Sequence, residues 1–228
     1  MAMNIQAFKT RSLTAVVFVV VMLTGLFGGL WPFIALFTLI HFGCWFEFVK
    51  LVRMISGKKY IYYVQLGLLY ISMPVVMMLM MAIQPDSAAA GNKVAYSYII
   101  PCSIIFSIWI NDTMQYVVGS LIGKTPFSKI SPKKTWEGTV GGALLCVIVI
   151  SLIAYFSKII SLKNAIFISA VCAVFGTAGD LLESKIKRMA RVKDSGNFMP
   201  GHGGFLDRFD SLLIATPFVW FYLQFFSH

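Results

Sequence analysis

Long apolar stretches, each closed by a short polar or basic patch, follow one another along nearly the whole chain. A helix needs about 20 mostly apolar residues to cross the hydrocarbon core of a bilayer. Seven stretches approach that length: 13–30, 31–49, 60–83, 97–122, 138–157, 164–182 and 209–226. The pattern predicts an all-α polytopic integral membrane protein with about seven transmembrane helices. The first two segments read as a tight hairpin broken at Gly28-Gly29-Leu30-Trp31-Pro32, where glycine and proline punctuate the run. Lys9 and Arg11 ahead of an apolar run imitate a secretory leader. No small-x-small cleavage site precedes a soluble domain, so the first segment is expected to be retained. Pro74 predicts a kink in the third segment. The chain divides into 1–100, a hairpin plus a third helix, and 101–228, a C-terminal region with polar loops at 123–137 and 183–208.

Composition strengthens this picture. Hydrophobic residues make up 58% of the chain and charged residues only 12%, against roughly 25% charged in a soluble domain. Mean hydropathy is +0.81. These values exclude a disordered chain, a collagen-like chain and an ordinary soluble enzyme. The net charge of +10 calls for an anionic partner, such as lipid headgroups or a nucleotide. With the N-terminus in the cytoplasm, every Lys and Arg except Lys93, Lys158 and Lys163 falls on the cytoplasmic side. The positive-inside rule then predicts N-in, C-out and an odd number of spans. Tyr60, Tyr62, Tyr63, Tyr96, Tyr98, Trp136 and Trp220 fall near span ends, as interfacial aromatics do. Cys44, Cys102, Cys146 and Cys172 lie in or beside apolar runs and read as small core residues. Three scattered histidines make no metal site.

The nine acidic residues carry more information. Only Asp86 falls outside; Glu47, Asp112, Glu137, Asp180, Glu183, Asp194, Asp207 and Asp210 lie at or near cytoplasmic ends. Topology does not require carboxylates there, so their concentration on one side predicts a site. Asp180, Glu183 and Ser184 are spaced i, i+3, i+4 and share one helical face. Asp207, Asp210 and Ser211 repeat that spacing. Two acidic helix ends joined by a return loop can converge, and converging carboxylates repel unless a hard cation lies between them. Lys185, Lys187, Arg188, Arg191 and Lys193 stand between the two acidic ends. Cations beside carboxylates suit a metal–polyphosphate substrate. Pro200-Gly201-His202-Gly203-Gly204 adds a flexible backbone able to aim N–H groups at phosphate. Upstream, Ser131 or Thr135 is placed to cap the helix that follows, whose N-terminus favours phosphate. Asp112 falls inside a predicted span, where a carboxylate is costly without a role. Glu47 reads as an i, i+3 partner of Lys50.

Ser184-Lys185-Ile186-Lys187-Arg188, Asp194 and the run from Pro200 to Asp210 closely resemble the signature of the phosphatidate cytidylyltransferase (CDP-diacylglycerol synthase) family. Asn111-Asp112-Thr113, Tyr116, Gly119, Gly123-Lys124 and the run Ser131 to Gly138 extend the resemblance, which covers roughly 110–215. Gln115 departs from it, since the family usually has a small residue before that Tyr.

The resemblance implies that CTP and phosphatidic acid give CDP-diacylglycerol and pyrophosphate in phospholipid biosynthesis. It implies a multi-pass protein of the cytoplasmic (inner) membrane, a homodimer, Mg²⁺ or Mn²⁺ as cofactor and K⁺ as a second cation, and no nucleic-acid partner. Carried over, Asp180 and Asp207 are the paired metal ligands, with Asp210, Asp194 and Asp112 as supporting carboxylates. Lys133, Lys134, Lys187 and Arg188 hold phosphate groups, and His202 sits by the nucleotide. Ser184, Lys193, Gly203, Gly204 and Arg208 complete the substrate-binding set. Two other readings are a cytidylyltransferase for a different lipid phosphate and a transporter. The transporter is disfavoured, because transporter sites lie near the midplane between repeats and no repeat is evident.

Overall fold

A computed structural model describes residues 5–85, 94–199 and 203–227. The described chain is almost entirely helical. Its helices are α1 (Ile5–Phe27), α2 (Leu30–Ser56), α3 (Tyr60–Val64), α4 (Met73–Ala82), α5 (Ile99–Ile122), α6 (Trp136–Ser157), α7 (Leu162–Met189) and α8 (Leu206–Phe226). The hairpin break falls where the sequence puts it. Gly29 precedes α2 with φ +100°, a value that glycine adopts without strain. Pro32 stands in the first turn of α2, where its missing N–H leaves no intrahelical bond unmade.

The third predicted segment is divided. After α3 the backbone passes through a π-helical stretch, Leu68–Ser72, before α4. Pro74 follows at once. Its ring clashes with the carbonyl four residues back and it supplies no N–H, so a wider turn just before it relieves both problems. Between α4 and α5 lies one feature the hydropathy pattern gave no sign of. Strands β1 (Ile83–Pro85) and β2 (Val94–Tyr96) pair antiparallel, Ile83 opposite Tyr96.

Among the described residues, four helices are long and apolar enough to cross a membrane: Leu30–Val64, Trp136–Ser157, Leu162–Met189 and Leu206–Phe226. Shorter apolar helices cover Ser12–Phe27 and Leu68–Ala82. α5 has the length, but Asn111-Asp112-Thr113 and Gln115 interrupt its apolar run. Surface chemistry agrees with a lipid setting. α6 exposes Val140, Leu144, Ile148, Leu152 and Phe156, an i, i+4 stripe far more apolar than a water-facing helix presents. The protein is an all-α membrane protein.

The chain forms two compact units, 1–75 with 186–209 and 76–185 with 210–228. In the first, Met22, Leu26, Phe33, Phe37, Ile40 and Leu51 are fully buried. In the second, Cys146, Ile150, Ala154 and Ala165 form a core cluster with Phe106, Ile110 and Ile160 packed against it. All four cysteines are buried and unbridged, as their apolar surroundings predict.

α5 and α6 pack closely through glycine. A Cβ at Gly142 would strike the Gln115 backbone, one at Gly138 the Gln115 carbonyl and Gly119 Cα, and one at Gly141 the Val118 side chain. Such small-residue faces are how membrane helices approach. Gln115, the departure from the family pattern, is buried there and its amide donates to Thr177 Oγ1 on α7 at 2.8 Å.

Candidate active site

α7 does not stop where its apolar run ends. The helix continues to Met189, so Asp180, Glu183, Ser184, Lys185, Lys187 and Arg188 all stand on one regular helix. Asp180 and Glu183 therefore share a face, as their spacing requires. Gly179 decides what that face meets. A Cβ there would run into the backbone of Asp210 and Ser211, so only glycine lets α8 approach so closely. The approach brings Asp210 to Asp180 and Glu183, and one carboxylate oxygen of each lies within 4.8 Å of the others. Glu183 is fully buried and Asp210 nearly so. The Ser211 N–H donates to Asp210 Oδ1 at 2.6 Å. Lys134 forms an ion pair with Asp180, at a partly exposed edge of the group. Three oxygen-donor carboxylates this close fit a hard divalent cation in charge and in ligand type.

The loop that carries Lys134 is tied down by its own residues. Thr135 caps α6, its hydroxyl oxygen accepting from the Gly138 N–H at 3.1 Å. Glu137 accepts from the backbone N–H groups of Lys124 and Thr125, each at 3.1 Å, and from the Thr125 hydroxyl at 2.8 Å. Glu137 thus closes the loop from 124 to 137 back onto the start of α6. Lys133 is exposed, whereas its neighbour Lys134 points to Asp180.

In the other unit, Asp207 opens α8. Lys187 Nζ lies 2.5 Å from Asp207 Oδ1, with both side chains largely buried. Asp207 Oδ2 accepts from the Gly204 N–H at 2.8 Å, the Ser195 N–H at 2.9 Å and the Ser195 hydroxyl at 2.9 Å. The Gly204 bond reaches back from the first turn of α8 to an N–H three residues earlier, the reverse half of a capping box, with a carboxylate at a helix start. Gly203 has φ +85° and is crowded by Asp207, so a side chain there would be both strained and obstructed. Arg188 is exposed and donates to the Val192 carbonyl at 3.1 Å, closing the end of α7.

The sequence profile of the cytidylyltransferase family matches residues 60–226, most of the chain. The chain belongs to the cytidylyltransferase family. Curated relatives of this chain include the phosphatidate cytidylyltransferase of Bacillus subtilis, 41% identical over 138 residues, 60% of this chain and 51% of that protein. The Aquifex aeolicus phosphatidate cytidylyltransferase is 45% identical over 114 residues, 50% of this chain and 42% of that protein. The chloroplastic phosphatidate cytidylyltransferase 4 of Arabidopsis thaliana is 43% identical over 117 residues, 50% and 29%. The chain thus spans about half the length, or less, of the curated relatives it matches.

The expected site residues fall into separate groups. Asp180, Asp210 and Lys134 belong to the acidic cluster; Asp207, Lys187 and Gly204 belong to the α8 start. Asp112, Lys193, Asp194 and Arg208 are exposed, and Ser184 is half-buried. Beside Asp112 it is Asn111 and Gln115, one turn apart, that are buried. His202 lies outside the described residues. Three participants had no place in the expected set: Glu183, Glu137 and the Ser195–Glu47 pair. Glu183 was legible from its i, i+3 relation to Asp180, whereas the i, i+3 relation of Glu47 to Lys50 gave no sign of Ser195, Phe205 and Leu206 as its partners.

Proposed function

We propose that this chain is a CTP:phosphatidate cytidylyltransferase that forms CDP-diacylglycerol and releases pyrophosphate. The observation that carries the reading is the Asp180–Glu183–Asp210 cluster with Lys134 at its edge. The names of the curated relatives supply the substrate class. A phosphate oxygen of phosphatidate attacks the α-phosphorus of CTP, and the bond to the β-phosphate oxygen breaks. The nucleophile is already an anion at neutral pH, so no strong general base is required. The difficulty is bringing anions together and stabilising charge on the phosphoryl oxygens, a matter of positioning and electrostatics.

Asp180, Glu183 and Asp210 would hold a divalent cation such as Mg²⁺; the resemblance separately implies Asp207 as a metal ligand. When bound, that cation supplies Lewis-acid neutralisation of phosphate oxygens. Lys134 and Lys187 are each held beside a carboxylate, which fixes where their ammonium groups wait for phosphate. Lys133, Arg188, Lys193 and Arg208 are exposed cations suited to drawing in a polyphosphate. The positive-inside pattern supports an N-in, C-out chain in the cytoplasmic membrane, where CTP and a lipid phosphate can meet. A homodimer and a K⁺ requirement remain part of the reading by resemblance.

The test is radiolabelled CTP with purified protein in detergent, phosphatidic acid, K⁺ and Mg²⁺, with and without chelator. CDP-diacylglycerol that disappears with chelator, and returns with Mg²⁺, is the expected result. No product from folded protein, while another lipid phosphate is consumed, would move the assignment to that acceptor. Asp210→Asn is expected to insert and fold normally while losing turnover. Normal turnover there would remove the cluster from the mechanism.

A further inference from the structure

Glu47 is a carboxylate in an apolar helix with no part in the chemistry above. Its side chain is 4% exposed. Its partners are three donors, none of them the Lys50 that the sequence offers. Oε1 accepts from the Phe205 N–H at 3.0 Å. Oε2 accepts from the Leu206 N–H at 2.9 Å and from the Ser195 hydroxyl at 2.6 Å. Gly196 and Gly204 press against the same carboxylate, with no room for a Cβ at either. Glu47 therefore binds both ends of the segment from 195 to 206 and fills the N-terminal end of α8, where backbone N–H groups and the helix dipole favour negative charge. The residues it fixes are those that fix Asp207: Ser195 donates to Asp207 through its N–H and shares its single hydroxyl proton between Glu47 and Asp207, and Gly204 donates through its N–H.

We propose that Glu47 is a positioning residue, which sets the Asp207 carboxylate by clamping Ser195 and the first turn of α8 without touching substrate. The isosteric amide tests this directly. In Glu47→Gln one oxygen becomes an NH₂ group, so at least one backbone N–H meets a donor instead of an acceptor. A buried donor left unmatched in this way loosens the clamp without changing its size.

The inference rests on the cytidylyltransferase reading for its kinetic test, so two readouts are needed. Wild type, Glu47→Gln and Ser195→Ala are assayed with CTP and phosphatidic acid across a Mg²⁺ series. In both variants kcat is expected to fall about tenfold and half-saturation to shift to higher Mg²⁺, the size seen when supports of a ligand are removed. The KM for phosphatidic acid stays within about twofold, because the clamp lies behind the site. In parallel, trypsin cleavage after Arg191 or Lys193 is expected to be faster in Glu47→Gln than in wild type. A folded variant with wild-type kcat and Mg²⁺ dependence overturns the proposal, and so does an unchanged cleavage rate in Glu47→Gln. If Glu47→Gln fails to fold, Ser195→Ala decides by the same Mg²⁺ series. If wild type itself makes no CDP-diacylglycerol, the functional reading fails, and the trypsin comparison still decides whether Glu47 holds the loop.

Discussion

Lys133 and Lys134 are adjacent and carry the same charge, yet the fold gives them different work. Lys134 pairs with Asp180, and Lys133 is exposed. The pair is partly exposed, with side chains 23% and 29% accessible, so it contributes under about 1 kcal/mol to stability. Its consequence is placement: it holds an ammonium group beside three carboxylates. Lys134→Met is therefore expected to leave the Tm in detergent within a few degrees of wild type while lowering kcat about tenfold or more. Lys133→Met is expected to cost clearly less turnover. Equal losses from the two variants, measured per mole of folded protein, would end the distinction. Gly204 has the opposite profile. A methyl group there must displace Glu47, and Gly204→Ala is expected to cost about 1–3 kcal/mol of stability, read as a lowered Tm. What could be read in advance at this scale was local. Thr135 as a cap follows from three consecutive positions, whereas the donors to Glu47 stand 148, 158 and 159 residues away along the chain. No spacing rule reaches that far.

At the scale of elements, hydropathy reported where lipid contact ends and not where a helix ends. The predicted sixth segment closes at residue 182, but α7 continues for two further turns through Glu183, Lys185, Lys187 and Arg188 to Met189. Those residues keep helical geometry because Lys and Arg are good helix formers, and basic residues suit a helix C-terminus. Site chemistry that looked like loop chemistry is thus helix chemistry, with fixed angular relations between its carboxylates. The same limit hid the π stretch before Pro74, since hydropathy is blind to backbone register. The glycines of α6 and α7 were visible as letters, but not as contacts. Gly179→Ala is expected to push α8 off α7, separate Asp210 from Asp180 and Glu183, and abolish most turnover with a modest fall in Tm. Gly142→Val should instead open α5 from α6 by overpacking against Gln115, and cost about 1–3 kcal/mol of stability or more. If Gly179→Ala kept full activity, the close approach of α7 and α8 would have no bearing on the site.

For the whole molecule, the proposal depends on which side of the membrane the basic residues face, because CTP is water-soluble and cytoplasmic. Charge alone sets the expectation: 19 Lys and Arg, of which Lys93, Lys158 and Lys163 alone fall on the predicted outer side. The structure adds a practical advantage. Cys44, Cys102, Cys146 and Cys172 are all buried, so the native chain should react little with a membrane-impermeant thiol reagent. Asn197 is exposed, three residues past Asp194 in the segment that Glu47 and Ser195 tie to α8. Asn197→Cys is therefore expected to label in inside-out vesicles and to stay unlabelled in intact right-side-out cells or vesicles. Labelling only from outside would reverse the orientation and place Lys187, Asp207 and the Gly-rich loop on the side without CTP. The functional reading would then fail whatever the local geometry of the carboxylates. Labelling only from inside would put the segment beside Asp207 in the compartment that supplies the nucleotide.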